Sequence, residues 1–185
     1  MPRAGLSAEQ VVETAALLAN RDGLDRLSIG SLAATLNVKP PSLYNHVKGL
    51  DDLHHALALR GHALLADTLR RATVAKSGKE ALHAVAHAYR NFAKGNPGVY
   101  SATLRSVENE DDELKAAGHE VLGILNAVLA SLGLTGNDAL HAVRALRAAV
   151  GGFAELELRG AFGMPLDTNE SFELLLHLLT DGFTS

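Results

Sequence analysis

Ser28-Ile-Gly-Ser-Leu-Ala-Ala-Thr-Leu-Asn-Val-Lys-Pro-Pro-Ser-Leu-Tyr-Asn-His46 holds two short helices and a turn. Ser28 is a residue type that caps helix N-termini by accepting from a free amide. Leu32, Ala33 and Leu36 follow at the spacing of one helix face. Asn37-Val38-Lys39 forms a tight turn. Pro40-Pro41 opens the next helix, where a missing amide donor costs nothing. That helix, Pro41 to His46, is barely two turns long. Leu32, Ala33, Leu36, Val38 and Leu43 pack the pair, and the small Ala33 lets the helices approach. Lys39, Pro40, Ser42, Asn45 and His46 then face outward. So short and polar a helix gains little by burial, and presenting side chains to a groove explains it better. The arithmetic is that of a helix-turn-helix.

Upstream, Ser7 and Gln10 form a capping box for a helix to about Arg21, striped with Val11, Ala15, Leu17 and Leu18 and stopped at Asp22-Gly23. Downstream, helices are expected over about 50–75, 78–95, 99–105, 113–132, 135–159 and 169–182. Asn96-Pro97-Gly98 is a break, and Glu108 to Glu113 a solvated loop entering a helix N-terminus, where carboxylates suit the dipole. No strand-like alternation and no repeat of 20–50 residues is present. The expectation is an all-α chain of about nine helices. Residues 1–49 are expected to form a three-helix helix-turn-helix DNA-binding domain, and 50–185 a larger helical dimerisation domain, to which only the family resemblance given below adds ligand binding.

Composition agrees. The chain of 185 residues is 47% hydrophobic with no Trp, so its core is built from Ala, Leu and Val, which suit helices. Without cysteine there is neither a disulfide framework nor a thiolate metal site. No apolar run reaches the roughly 18 residues of a membrane span, and Met1 to Gly5 leads into an amphipathic segment, not a signal peptide. A cytoplasmic protein without membrane contact is expected. The net charge of −4 excludes a general polyanion binder. Residues 1–50 carry +1 and the remainder −5, so DNA contact belongs to the first fifty residues.

The segment Val38-Lys-Pro-Pro-Ser-Leu-Tyr-Asn-His-Val-Lys-Gly-Leu-Asp-Asp-Leu53 resembles the recognition helix of the TetR family of repressors and its join to the next helix, most specifically in Leu-Tyr-x-His-Val-Lys. The recognisable block spans residues 7–60. Gly151 to Phe162 looks, more loosely, like one subgroup's regulatory domain. The resemblance implies that Tyr44, His46, Lys48 and Ser28 contact phosphates, while Lys39, Pro40, Pro41, Ser42 and Asn45 face base edges. Chemistry agrees for most: Lys is a point charge for phosphate or guanine, and Asn can pair bidentately with adenine. Gly30 and Leu50 stand where some relatives carry basic side chains, so DNA shape supplies part of the specificity.

The resemblance further implies a palindromic double-stranded operator, a homodimer and a small, largely apolar effector that releases the DNA. Its candidate cavity lining is Leu64, Tyr89, Phe92, Tyr100, Leu104, Leu125, Val143, Arg147 and Phe153. Sequence supports the dimer independently. Phe172, Leu175, Leu176, Leu179 and Phe183 form one apolar face and Leu174 with Leu178 another, while Ala142, Ala145, Ala148, Gly151 and Gly152 permit close helix approach. Leu176→Glu is therefore expected to give monomer or aggregate. Among nine histidines, His83 and His87 share a helix face, but with no His-Glu-x-x-His and no Cys no metal is expected. Neither a nucleotide-cradling loop nor a nucleophile elbow is present, so neither an enzyme nor a cofactor is expected. The competing class is an architectural DNA-binding protein with no effector.

Overall fold

The computed structural model describes residues 6–105 and 111–184. Met1 to Gly5, and Glu108 to Glu110 of the expected loop, lie outside them. Within them are eight α-helices, two 3-10 helices and no strand: α1 (Ala8–Asp22), a 3-10 helix Leu24–Arg26, α2 (Ile29–Thr35), a 3-10 helix Pro40–Asn45, α3 (Leu50–Thr73), α4 (Gly78–Gly95), α5 (Pro97–Thr103), α6 (Asp112–Ala130), α7 (Gly136–Leu158) and α8 (Thr168–Thr184).

The chain divides into two compact units, one of residues up to 62 with 96–115, the other of 63–95 with 116–185. The expected boundary at residue 49 falls inside the first. In that unit α1 packs on α2 and α5, and α2 on the segment Pro40–Asn45. Val11, Ala15, Leu18, Leu32, Leu43, Leu53 and Leu57 are buried in its core. The Ser7–Gln10 capping box forms as the sequence requires. Leu17 does not join the buried stripe: it is 66% exposed, and Ala16 and Ala19 are buried in its stead. Because α1 is contacted on two sides, by α2 and α5, small residues suit it there.

Helix α5 is seated by two devices. Its N-cap, Asn96, makes no side-chain cap bond. Instead Asn20 of α1 accepts at Oδ1 from the amides of Gly98 and Val99, both at 3.0 Å. Gly98, expected as a chain breaker, lies within the helix. A Cβ on it would overlap the Ala19 carbonyl group. Helix α6 begins from its own cap: Asp111 accepts from the amides of Glu113 and Leu114 at 3.0 and 3.1 Å, and His55 of α3 pairs with the same carboxylate. The Leu114 amide above all holds the Asp111 carboxyl below its usual range.

In the second unit α4 packs on α7 and α8, and α7 on α8. Arg90 of α4 is a charge in this core, only 3% exposed. Its guanidinium donates through Nε and Nη2 to Glu157 at 2.8 and 2.7 Å and through Nη1 to Asn169 at 3.0 Å. It lies over the Phe172 ring, 4.6 Å from the centroid, with Phe153 at 5.3 Å. Lys94 adds a second cation to Glu157 at 2.6 Å. The Arg90 hydrogen bonds, then those of Lys94, hold the Glu157 carboxyl down at about 2.

Helix α8 sorts its leucines more sharply than the sequence alone. Phe172 and Leu176 are fully buried, whereas Leu174 and Leu178 are 62% and 65% exposed. Leu176→Glu is thereby corrected as a test of assembly, because a carboxylate there enters the subunit's own core and unfolds it.

Candidate nucleic-acid interface and a cavity in the second unit

Helix α2 starts at a capping box of its own. Ser28 Oγ accepts from the Ser31 amide at 3.0 Å, and Ser31 Oγ accepts from the Ser28 amide at 3.1 Å. The Ser28 side chain is exposed, but its hydroxyl is engaged at this cap. Helix α2 ends by turning left-handed at Asn37, φ 54°, a conformation asparagine tolerates. There the Val38 amide donates to Ala33 O at 3.0 Å and the Asn37 amide to Ala34 O at 3.2 Å, the two bonds that close a helix C-terminus around a left-handed residue.

Lys39 is extended, as a residue before proline must be. The expected α-helical reading segment is a 3-10 helix, Pro40–Asn45. Two adjacent prolines give no amide to an α-helical ladder, and the segment closes by tighter bonds, Ser42 N–H to Lys39 O at 2.9 Å and His46 N–H to Leu43 O at 2.8 Å. Leu43 and Val47 are buried and anchor it. Lys39, Pro40, Pro41, Ser42, Tyr44, Asn45 and Lys48 are exposed and His46 is half-buried. Neither Lys39 nor Lys48 has an ion-pair partner among the described residues. The Lys48 amide is held by Asp52 at 2.9 Å, in the first turn of α3. One short segment thus holds two unpaired ammonium groups, an amide and a phenol turned outward from a buried anchor.

The candidate ligand residues scatter more. Tyr89, Leu125 and Arg147 line one cavity in the second unit, with Val85, Ala86, Leu146 and Val150. About 10 Å³ of it is open to the centre of a water-sized sphere, roughly the room one water needs. Val143 and Phe92 are buried on α7 and α4 outside this lining, and Leu64 is 38% exposed. Phe153 stacks instead against Phe162 and Phe172. Tyr100 and Leu104 belong to the first unit, the former buried and the latter 52% exposed. Val85, Ala86, Leu146 and Val150 were missed, although 85, 86 and 89, like 146, 147 and 150, share a helix face by spacing.

His87 pairs through Nε2 with Glu173 at 2.7 Å, and His83 Nδ1 lies 3.9 Å from the same carboxylate. Among the described residues no group of three or more His, Cys, Asp or Glu is placed to hold a metal ion. No described helix is long and apolar enough to cross a membrane.

Comparison with known proteins places these features. A family model described as the C-terminal domain of tetracyclin repressor-like proteins matches residues 82–179. The chain is 34% identical over 182 residues to the uncharacterised HTH-type transcriptional regulator YobS of Bacillus subtilis (strain 168), covering 98% of this chain and 94% of that one. It is 37% identical over 177 residues to the uncharacterised HTH-type transcriptional regulator Rv0681 of Mycobacterium tuberculosis, covering 95% and 81% of the two chains. In fold it is similar to the Streptomyces coelicolor TetR family protein ActR in complex with (S)-DNPA, with a TM-score of 0.68 at 20% identity over 97% of this chain and 98% of that one.

Proposed function

Because the chain belongs to the TetR family of helix-turn-helix transcriptional regulators, we propose that it is a homodimeric cytoplasmic repressor that leaves a palindromic operator when a small, largely apolar molecule enters its second unit. In this reading the DNA-binding part is residues 1–49, and Ser28, Lys39, Pro40, Pro41, Ser42, Tyr44, Asn45, His46 and Lys48 meet the duplex. One observation supports it above all: the exposed, unpaired polar side chains between Lys39 and Lys48 stand on a buried Leu43 anchor. The match to a regulator's C-terminal domain over residues 82–179 speaks against a purely architectural protein.

The test separates affinity from specificity. Lys48→Ala is expected to weaken binding to all duplexes alike and to flatten the salt dependence by about one counterion. Asn45→Ala is expected to alter preference at one position per half-site, by about 1–3 kcal/mol for a bidentate contact. Mobility shifts over a set of single-base operator variants check both; an unchanged preference in Asn45→Ala rejects that contact.

The dimer would use α7 and α8. Leu140, Leu156, Leu174 and Leu178 are exposed on these helices at 44%, 47%, 62% and 65%, a cost a second copy removes. Leu174→Glu and Leu178→Glu are expected to give folded monomers, since neither side chain is in the subunit core. Sedimentation at micromolar concentration reads the result, and a wild-type monomer there refutes the dimer. The effector would act through α3, a continuous helix that begins just after the reading segment and whose residues from 63 belong to the second unit. By linkage, such a ligand binds free protein more tightly than the DNA complex by the factor with which it weakens DNA binding.

A further inference from the structure

Asp52 lies in the first turn of α3, and its Oδ2 accepts from the Lys48 amide at 2.9 Å. Among the described residues it is the one side chain bonded to the backbone between Val38 and Lys48. The rest of that stretch is held by backbone bonds, such as those of the His46 and Val47 amides to the Leu43 carbonyl. The Asp52 bond reaches across Gly49, the joint between the segment Pro40–Asn45 and α3. Packing does little to hold this joint, since a Cβ on Gly49 would meet nothing within 4 Å. The side chain of Asp52 therefore fixes how Lys48 leaves the helix. Its carboxylate takes the Lys48 amide and not the ammonium, which has no ion-pair partner among the described residues. Asp52 has no cation partner among them either, so no neighbour neutralises its charge.

In the DNA-binding reading a phosphate meets the Lys48 ammonium. That phosphate lies about a lysine's length from the Asp52 carboxylate, within roughly the 10 Å over which 0.1 M salt screens charge. Carboxylate and phosphate are both acceptors, so no hydrogen bond between them offsets the repulsion. Asp52 thus acts on the contact in two opposed ways: ordering Lys48 aids it, and the negative charge weakens it. We propose that Asp52 positions Lys48 for the duplex and, by its charge, holds DNA affinity below the level the unpaired cations of this segment would otherwise reach. The proposal rests on the DNA-binding reading above and adds to it a residue that opposes binding.

The probe is the duplex that the full wild-type chain selects from a random-sequence pool, titrated by fluorescence anisotropy at about 50 and about 200 mM salt. Asp52→Asn keeps an oxygen for the Lys48 amide and removes the charge. It is expected to bind about two- to fivefold more tightly at the lower salt, with a smaller gain at the higher. Asp52→Ala removes charge and acceptor together. It should bind about threefold more weakly than Asp52→Asn, the factor of a modest hydrogen bond. Its Lys48 amide should also exchange with solvent about tenfold faster, while Asp52→Asn keeps the protection. Asp138→Asn, exposed in the first turn of α7, changes the net charge equally in the second unit and should leave affinity as it is. Equal tightening by Asp138→Asn overturns the proposal, as does Asp52→Ala matching Asp52→Asn in affinity or keeping its Lys48 amide protected. A wild-type chain that selects no duplex removes the DNA-binding reading and this proposal together. A wild-type chain that binds while Asp52→Asn binds no better removes this proposal alone.

Discussion

Arg90→Ala should lower stability by about 3–5 kcal/mol, the cost of leaving one partner of a buried ion pair uncompensated. In a chain of this size that is a fall in Tm of about 6–20 °C. The loss is large because the guanidinium does three things at once: it holds Glu157 with two bonds, satisfies Asn169, and covers the Phe172 ring. Arg90→Lys should recover only part of it, since an ammonium lacks the planar fork. The effect has a pH signature. The Glu157 carboxyl is held at about 2 against an ordinary 4.5, so its contribution is fully present above about 4.5 and is lost as pH falls from there toward 2. The depression corresponds to about 3 kcal/mol. The difference in Tm between wild type and Arg90→Ala should therefore narrow on acidification from pH 7 to 3.5. Scanning calorimetry at the two values checks this, and a constant difference shows that the carboxylate does not carry the stabilisation.

Gly98→Ala should be the most damaging single methyl in the first unit. The added Cβ meets the Ala19 carbonyl and the Asn20 amide, backbone that cannot rotate away as a side chain can. A cost of about 3 kcal/mol is expected, the upper end for overpacking. Asn20→Ala removes the acceptor for the Gly98 and Val99 amides and should cost about 1–2 kcal/mol, as lost N-caps do. Both act on the same seat of α5 against α1, so the double variant should lose less than the sum. Denaturant unfolding of the four proteins measures the coupling. Full additivity, or a Gly98→Ala protein as stable as wild type, contradicts the close approach.

Local devices were legible in the sequence and distant ones were not. The Ser7–Gln10 box, the Ser28 cap and the Asn37 turn involve residues within a few positions of each other, and each forms. The place of the reading segment was equally plain from Pro40-Pro41, but its 3-10 winding was not, because the tighter bonds answer to missing amides in a way no periodicity reveals. Gly98 reads as a breaker in sequence because its reason, the Ala19 backbone, lies on another helix. Arg90 and Glu157 are 67 positions apart, and nothing in either neighbourhood announces the other. In the candidate site the exposed polar residues beside Leu43 followed from the pattern that buries Leu43, whereas Val38, expected to pack, is only half-buried and Val47 takes its place in the core. The cavity depends on which faces of α4, α6 and α7 meet, so only Tyr89, Leu125 and Arg147 of its lining were found beforehand.

The bond from Asn20 to Gly98 spans 78 positions, and that has a consequence for how the protein is made. As the chain leaves the ribosome, α1, α2 and the reading segment emerge first, but α1 has no partner for its Asn20 side chain until residues 96–99 arrive. Closing so long a loop is paid in chain entropy before the contact rewards it. The first unit thus completes itself only after α4 has been synthesised, and a nascent chain stalled at residue 62 holds the whole segment Pro40–Asn45 without its α5 support. In the proposed reading, the half that would meet DNA is first to be translated and late to mature, and a product truncated before α5 is expected to bind DNA more weakly than the finished protein.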